Sequence, residues 1–315
     1  MPTIRSPRKG SMQYWPRSKA KKMYARVRSW VKGDKAKPLA FIGYKVGMTH
    51  LMAVNENKNS HLKNEEMAVP ITLIECPPIR IHSIRFYKKQ AQALKLEKEI
   101  FFKSEKELAR KIKPAKENKE LLEKINPDDY QKIMITVYTQ PKKAGFGKKK
   151  PEIMEIGLGG SNKDKVEFVK NNHDKEISLD SVFEVNQVVD LHAISKGKGT
   201  QGPVKRFGIG LKPHKSEKGV RAPGALGPWS RQQHISYRVA HAGQTGFHQR
   251  FEHNKQIIDI SSELEKYGKD FHKYGNIKST YLALHGSVAG SKKRAILMTV
   301  AIRENKHKHK LSMIQ

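Results

Sequence analysis

The sequence predicts a mainly β domain of barrel or sandwich type, with a helical insertion and two long basic segments that lack a core of their own. Three observations predict it. Short β-rich runs recur between turn residues at 39–54, 67–87, 132–139, 181–195, 279–290 and 294–302. The chain has 62 Lys+Arg against 30 Asp+Glu, a formal charge of +32. The stretches 1–38 and 196–255 are basic, contain aromatics and show no long apolar periodicity.

A hydrophobic share of 37% over 315 residues supports one large domain or two small ones, with a modest core. A charge of +32 repels itself in a compact body and favours a polyanionic partner: nucleic acid, an anionic membrane or an acidic protein. The single cysteine, Cys76, allows no internal disulfide and no cysteine-based zinc site, and it fits a reducing compartment. No apolar run follows the charges of "MPTIRSPRKGSMQYWPR", so no secretory leader is expected. The longest apolar run, "AILMTVAI" at 295–302, is far shorter than the roughly 18 residues of a spanning helix. The expected protein is soluble, intracellular and basic.

Residues 1–38 carry twelve Lys/Arg and one acid, Asp34. Little aliphatic surface there offsets a backbone ordering cost of about 1–2 kcal/mol per residue. A solvated tail is one reading. The favoured one is an arm that orders on nucleic acid, because tryptophans are unusual in an idle tail. Arg8, Lys9, Arg17, Lys19, Lys21, Lys22, Arg26 and Arg28 then meet phosphates, while Tyr14 and Trp15 stack on bases or sugars.

"LAFIGYKVGMTHLMAV", 39–54, reads as two short strands flanking "YKVGM". "MAVPITLIECPPIRIHSIRFY", 67–87, reads as strands broken at Pro70 and at Pro77-Pro78. The range 39–89 thus forms a first set of strands, and 90–180 an insertion. In the insertion, "SEKELARKIK" opens on Ser104 and Glu107 at capping-box spacing and puts Leu108 and Ile112 on one helical face. Pro114 stops that helix, and "KENKELLEKI" supplies a second. Eighteen basic and nine acidic residues between 86 and 150 make this a solvated insertion. "KIMITVYT", 132–139, is a strand, and 140–151 an exposed loop whose Lys148, Lys149 and Lys150 face phosphates.

"SVFEVNQVVDLHAIS", 181–195, begins a second set of strands that runs to 211. The last strands lie within 261–304, and the tail 305–315 is frayed. Between these sets, 196–255 holds twelve Lys/Arg, two acids and five histidines, punctuated by glycine. A linker would be depleted of aromatics. This segment keeps Phe207, Trp229, Tyr237, Phe247 and Phe251, so support from outside the chain is expected. Its candidate nucleic-acid contacts are Lys196, Lys198, Lys205, Arg206, Lys212, His214, Lys215, Arg221, Trp229, Arg231, Gln244, His248, Arg250 and Lys255.

Other chemistries fit less well. "GKGTQG", 197–202, matches G-x-G-x-x-G, but Pro203 and "VKRFGIG" predict no helix to receive a pyrophosphate, and no acid stands about twenty residues on. No Walker loop and no G-x-S-x-G elbow is present. "HQRFEH", with His248, Glu252 and His253, fits no zinc-protease spacing and sits among cations that disfavour a dication. Residues 90–125 lack the basic amphipathic pattern of a membrane-surface helix. Neither a recognition helix nor a zinc finger is legible, and glycine-rich basic loops with dispersed aromatics suit irregular RNA better than duplex DNA. No catalytic residue, cofactor, metal site or small-molecule substrate is expected.

Six stretches together resemble the ribosomal protein L-three family, of archaeal and eukaryotic length. They are "KGSMQYWPR" (9–17), "FIGYKVGMTH" (41–50), "GFGKKKPEIMEIGLGG" (145–160), "GKGTQGPVKRFG" (197–208), "PGALGPW" (223–229) and "AGQTGFHQR" (242–250). They run through nearly the whole chain in family order. The resemblance implies a six-stranded β-barrel of the translation-protein type with an α/β insertion and two long basic extensions, N-terminal and central. It also implies binding to large-subunit rRNA, early subunit assembly, neighbouring large-subunit proteins as partners, and a cytoplasmic, ribosome-bound location. Structural Mg²⁺ ions would be held by the RNA. The central extension, 212–260, would reach toward the peptidyl-transferase centre, with a tip near 224–230 formed by Gly224, Gly227, Pro228 and Trp229. His214 matches a histidine in the basic approach to it. The family often has His-Pro where Ser230-Arg231 stand, and Trp where Phe207 stands. A free-standing RNA chaperone or nucleoid-type protein is the rival reading.

Overall fold

A computed structural model describes residues 7–113, 115–227, 234–263, 266–305 and 311–313. The architecture is mainly β. Two compact units divide the chain: Met1–Lys22 with Ile194–Gln249, and Met23–Ala193 with Arg250–Gln315.

The larger unit is built on sheets. Strand β1, Ala40–Asn55, pairs along its length with β2, Glu66–Glu75. It is one strand, where the sequence reads as two around "YKVGM". A register shift between Lys45 and Gly47 absorbs the irregularity without ending the ladder. Its first eight residues are buried and its second half alternates, so one strand serves first a two-sided core and then a one-sided face. β2 runs through Pro70, another departure from expectation. Pro70 lies one residue past the last pair of β2 with β11 (Tyr281–His285), His285↔Ile71, and its carbonyl still accepts from Gly286. The missing N–H therefore breaks no bond on that side. The break at Pro77-Pro78 is real, and β3, Ile79–Gln90, follows it.

β3 heads a separate sheet with β4 (Ala93–Phe101), β5 (Lys132–Thr139) and β6 (Ile153–Gly157), in the order β4-β3-β5-β6. Here the predicted helices give way. Residues 93–101 form a hairpin strand, and 104–113 hold only a 3-10 turn at Lys106–Arg110. The Ser104 hydroxyl bonds His82 Nδ1 at 2.9 Å instead of capping a helix, and Leu108 is the turn's one buried residue. Residues 119–122 make a second 3-10 turn; Pro114 lies outside the described residues. The real helix, α1 at Asn162–Asn172, stands where none was expected. Ser161 and Asp164 form a full capping box at its start, and Val166 and Val169 are buried.

β7 (Val188–Ile194) begins later than the run 181–195, because Leu179 accepts from Val182 and Phe183 in a turn ahead of it. β8 (Gly199–Gln201), α2 (Pro203–Phe207) and β9 (Gly243–Thr245) follow, then β10 (Gln249–Ser261) and, after β11, β12 (Ala295–Val300). β13, Leu311–Met313, pairs with β1, so at least this part of the tail is not frayed. The main sheet has the order β12-β7-β10-β11-β2-β1-β13, and β12 also pairs β1 from Ala40↔Thr299 to Tyr44↔Ala295. The hydrogen bonding thus closes into a ring. Phe41, Ile42, Tyr44, Leu73, Ile74, Leu282, Leu284, Ile296 and Met298 are fully or almost fully buried around it.

One buried carboxylate organises this unit. Glu75, with no exposure, accepts from Gly145 N at 2.9 Å, Lys278 N at 2.7 Å, Ser279 N at 3.0 Å, Ser279 Oγ at 3.1 Å and Tyr274 OH at 2.5 Å. Five donors replace its lost water, which is what a buried charge requires. Burial first, and then the Glu75 charge, push the Tyr274 phenol far above its ordinary value. The loop 140–151, read as exposed, is therefore tied in at Gly145.

Candidate nucleic-acid interface

The smaller unit carries the charge. Residues 1–22 and 194–249 hold seventeen Lys/Arg against one acid, Glu217. Ion pairing within the unit cannot neutralise them. An apolar core is also lacking: among the described residues, Ile194 and Phe207 are its buried apolar side chains. Other contacts must hold it.

The first is a short ladder, β8 against β9, from Gly199↔Thr245 to Gln201↔Gly243. A five-residue helix, α2, follows β8 with Pro203 in its first turn, against the expectation that none would form. Proline there gives up an N–H that has no helical partner in any case. On α2, Arg206 turns inward. Its Nε donates to Gln244 O at 3.0 Å and its Nη1 to His241 O at 3.1 Å, so it clamps the chain entering β9. Burial, then the charge of Arg17, lower Arg206 from its ordinary value.

The second contact is an aromatic cluster on Phe207. Arg17 lies 4.5 Å and Arg206 5.1 Å from its ring centre, and Trp15 packs at 6.1 Å. Both guanidiniums lie within cation–π distance of the one ring. Arg17 also donates to Ser11 O at 3.2 Å. Gly10 is required here: its φ is +79, and a Cβ would sit 2.5 Å from Phe207 Cδ1.

The third is His248. Its Nδ1 lies 2.9 Å from Ser18 O, which can only accept, and its Nε2 accepts from Gly246 N at 3.0 Å. The ring therefore carries its proton on Nδ1 and joins the N-terminal arm to the turn after β9. Ser195 adds a two-point contact, its N donating to His248 O and its Oγ accepting from His248 N. Gly246, φ +73, has no room for a side chain, since a Cβ would lie 2.1 Å from Lys196 O. Ala20 N donates to Phe247 O at 2.8 Å beside it.

The predicted contact residues fall into three groups. Arg8, Arg17, Arg206, Gln244 and His248 are spent on the protein: Arg8 donates to Arg238 O at 2.9 Å, and Gln244 Nε2 to Gly246 O at 3.0 Å. His248 is buried with both ring nitrogens engaged, so it presents none to a phosphate. Lys148 and Lys255 are also engaged, the first with buried Glu152, the second with Ser287 O at 2.8 Å. A second group is exposed with no partner for its charge among the described residues: Lys9, Lys21, Arg28, Lys149, Lys150, Lys196, Lys198, Lys205, His214, Lys215 and Arg221. Tyr14, Lys19, Lys22 and Arg26 are exposed too, Lys19 lying 5.8 Å from the Phe247 ring centre; Lys212 and Arg250 are half-buried. The third group, Pro228, Trp229 and Arg231, lies outside the described residues, as does Ser230. Gly224 and Gly227 are exposed in a loop where Ser236 N donates to Leu226 O and Lys212 N to Val220 O.

In the larger unit, Trp30 packs over Gly157 and Ala25 is buried, so residues 23–38 do find a core to join. Sequence reasoning missed the Phe207 cluster and the His248 pin. Their partners lie far along the chain, 230 positions away for His248 and Ser18, and only the glycines at 10 and 246 mark the close approaches.

The ribosomal protein L3 family model matches residues 1–315. The chain is 40% identical over 311 residues to large ribosomal subunit protein uL3 of Methanococcus aeolicus, covering 96% of this chain and 93% of that protein. It is 39% identical over 312 residues to the uL3 protein of Methanosphaera stadtmanae (94% and 92% covered) and 37% over 316 to that of Nanoarchaeum equitans (98% and 95%). By a full-length family match and relatives at this identity, the chain belongs to the ribosomal protein L3 family.

Proposed function

We propose that this chain is a structural constituent of the large ribosomal subunit and binds large-subunit rRNA through its smaller unit. One observation carries the reading: seventeen cations stand against one acid on a scaffold held by clamped carbonyls and a single aromatic cluster. Such a surface gains by releasing counterions from a polyanion. The names of the archaeal relatives support the ribosome as its place.

In this reading the closed strand ring is the six-stranded barrel of the translation-protein type. Residues 90–180 are its insertion, and 1–38 and the part of 212–260 that precedes β10 are its extensions. The central extension reaches toward the peptidyl-transferase centre, where Trp229 fills a gap in the RNA. Lys9, Lys21, Lys196, Lys198 and Lys205 meet phosphates. Other large-subunit proteins are its neighbours, in the cytoplasm.

Sedimentation tests the reading. The protein should run stoichiometrically with large subunits through a high-salt gradient; a protein that washes off is a chaperone instead. Affinity for large-subunit rRNA should fall steeply with salt. Each alanine at Lys198 or Lys205 should flatten the log-log slope by about 0.7–0.9.

A further inference from the structure

Tyr237 has no part in the contacts above, yet among the described residues it is the most exposed aromatic of the smaller unit. Its side chain is 56% exposed. It is not loose. Trp15 meets it edge-on, with ring centres 6.3 Å apart and planes at 86°. Trp15 in turn rests on Phe207, which Arg17 and Arg206 hold. Arg238 Nε donates to the Tyr237 hydroxyl at 3.1 Å, its guanidinium lies over the ring at 5.6 Å from the centre, and Arg8 fixes the Arg238 carbonyl at 2.9 Å. A buried ring thus supports a half-buried one, which supports an exposed one.

From this arrangement we infer that Tyr237 is a stacking platform for one unpaired nucleobase of the bound RNA, with Arg238 beside it on the nucleotide's phosphate or base edge. The inference rests on the RNA-binding reading above. Three features favour a base over other occupants. A large aromatic kept in water by its own neighbours is costly to leave bare, and a base covers it with a flat π face. The surrounding unit has seventeen cations to one acid, so the molecule arriving there is a polyanion and not an apolar protein surface. A duplex keeps its bases stacked on each other, so the partner is a base splayed from a loop, bulge or single strand. The rigid mount lowers the entropy lost on stacking, because the ring is already held.

The test uses the full chain and purified large-subunit rRNA. Tyr237→Phe keeps the π face and should bind like the parent. Tyr237→Leu keeps apolar bulk and loses the face, and should bind about tenfold more weakly or worse, with the salt slope unchanged. Ultraviolet cross-linking should join Tyr237 to a single nucleotide that is unpaired in the RNA. If Tyr237→Leu binds as tightly as the parent while the salt slope stays steep, the platform is refuted and the RNA-binding reading stands. If the parent itself shows no salt-dependent affinity, the RNA-binding reading falls. A cross-link from Tyr237 to a neighbouring protein in assembled subunits would also overturn the proposal. Equal hydrogen-exchange protection of 194–249 in both variants shows that the leucine substitution has not simply loosened the fold.

Discussion

The two units solve the same problem with different materials. In the larger, apolar strands bury one another, and the carboxylate of Glu75 inside them is matched to five donors. In the smaller, almost nothing apolar is buried, and order comes from cations turned inward onto carbonyls and one aromatic ring. The first strategy makes a body stable by itself. The second leaves most charges facing outward and makes a surface suited to a counter-charged partner. A charged side chain is therefore not automatically a contact residue: Arg206 and Lys198 stand eight positions apart, one spent on structure and the other presented.

The contrast can be broken most forcefully at Glu75. Glu75→Ala strands five donors in the interior, at about 1–3 kcal/mol each if none is rehydrated. The strand ring should melt at far lower urea, measured by far-ultraviolet circular dichroism. A small change would mean that water takes the carboxylate's place and that the core is less demanding than its five donors imply.

His248→Ala probes the other strategy. It should cost about 1–3 kcal/mol by orphaning Gly246 N–H and freeing Ser18 O. The loss should appear as faster hydrogen exchange at 194–249, with the unfolding of the strand ring unchanged. Loss of both together would show that the units are not energetically separate.

Acid should discriminate more gently. Burial alone would raise Glu176, but hydrogen bonds from Lys143, Gln140 and Arg80 outweigh it and hold the carboxyl down at about 2. A carboxyl whose folded value lies below its unfolded one stabilises at neutral pH. That contribution should fade as pH drops below about 4 and vanish as it passes about 2, with a small amplitude because water screens the site. Glu176→Gln should remove this part of the pH dependence from thermal melts.

What could be read in advance follows the reach of the interactions. β5 occupies the run "KIMITVYT" to the residue, and β11 and β12 lie inside their expected stretches, because local β propensity and burial agree there. The helix signals at 104–113 yield only a 3-10 turn, because the Ser104 hydroxyl bonds His82 instead of capping a helix. Helix α1 had its signal in Ser161-x-x-Asp164, masked by a weakly apolar sequence. In the smaller unit, composition marked the cation-rich segments, while the division between clamping and presented cations depends on contacts such as Arg8 with Arg238, 230 positions apart.

The closed ring also has a consequence for vectorial synthesis. Ala40 pairs with Thr299, and Glu75 waits for the amides of Lys278 and Ser279. While the chain is being made, its earliest strand has one open edge, and its central acid lacks four of its five donors until Tyr274, Lys278 and Ser279 emerge. A nascent chain of this kind exposes sticky, unpaired backbone for most of its translation time.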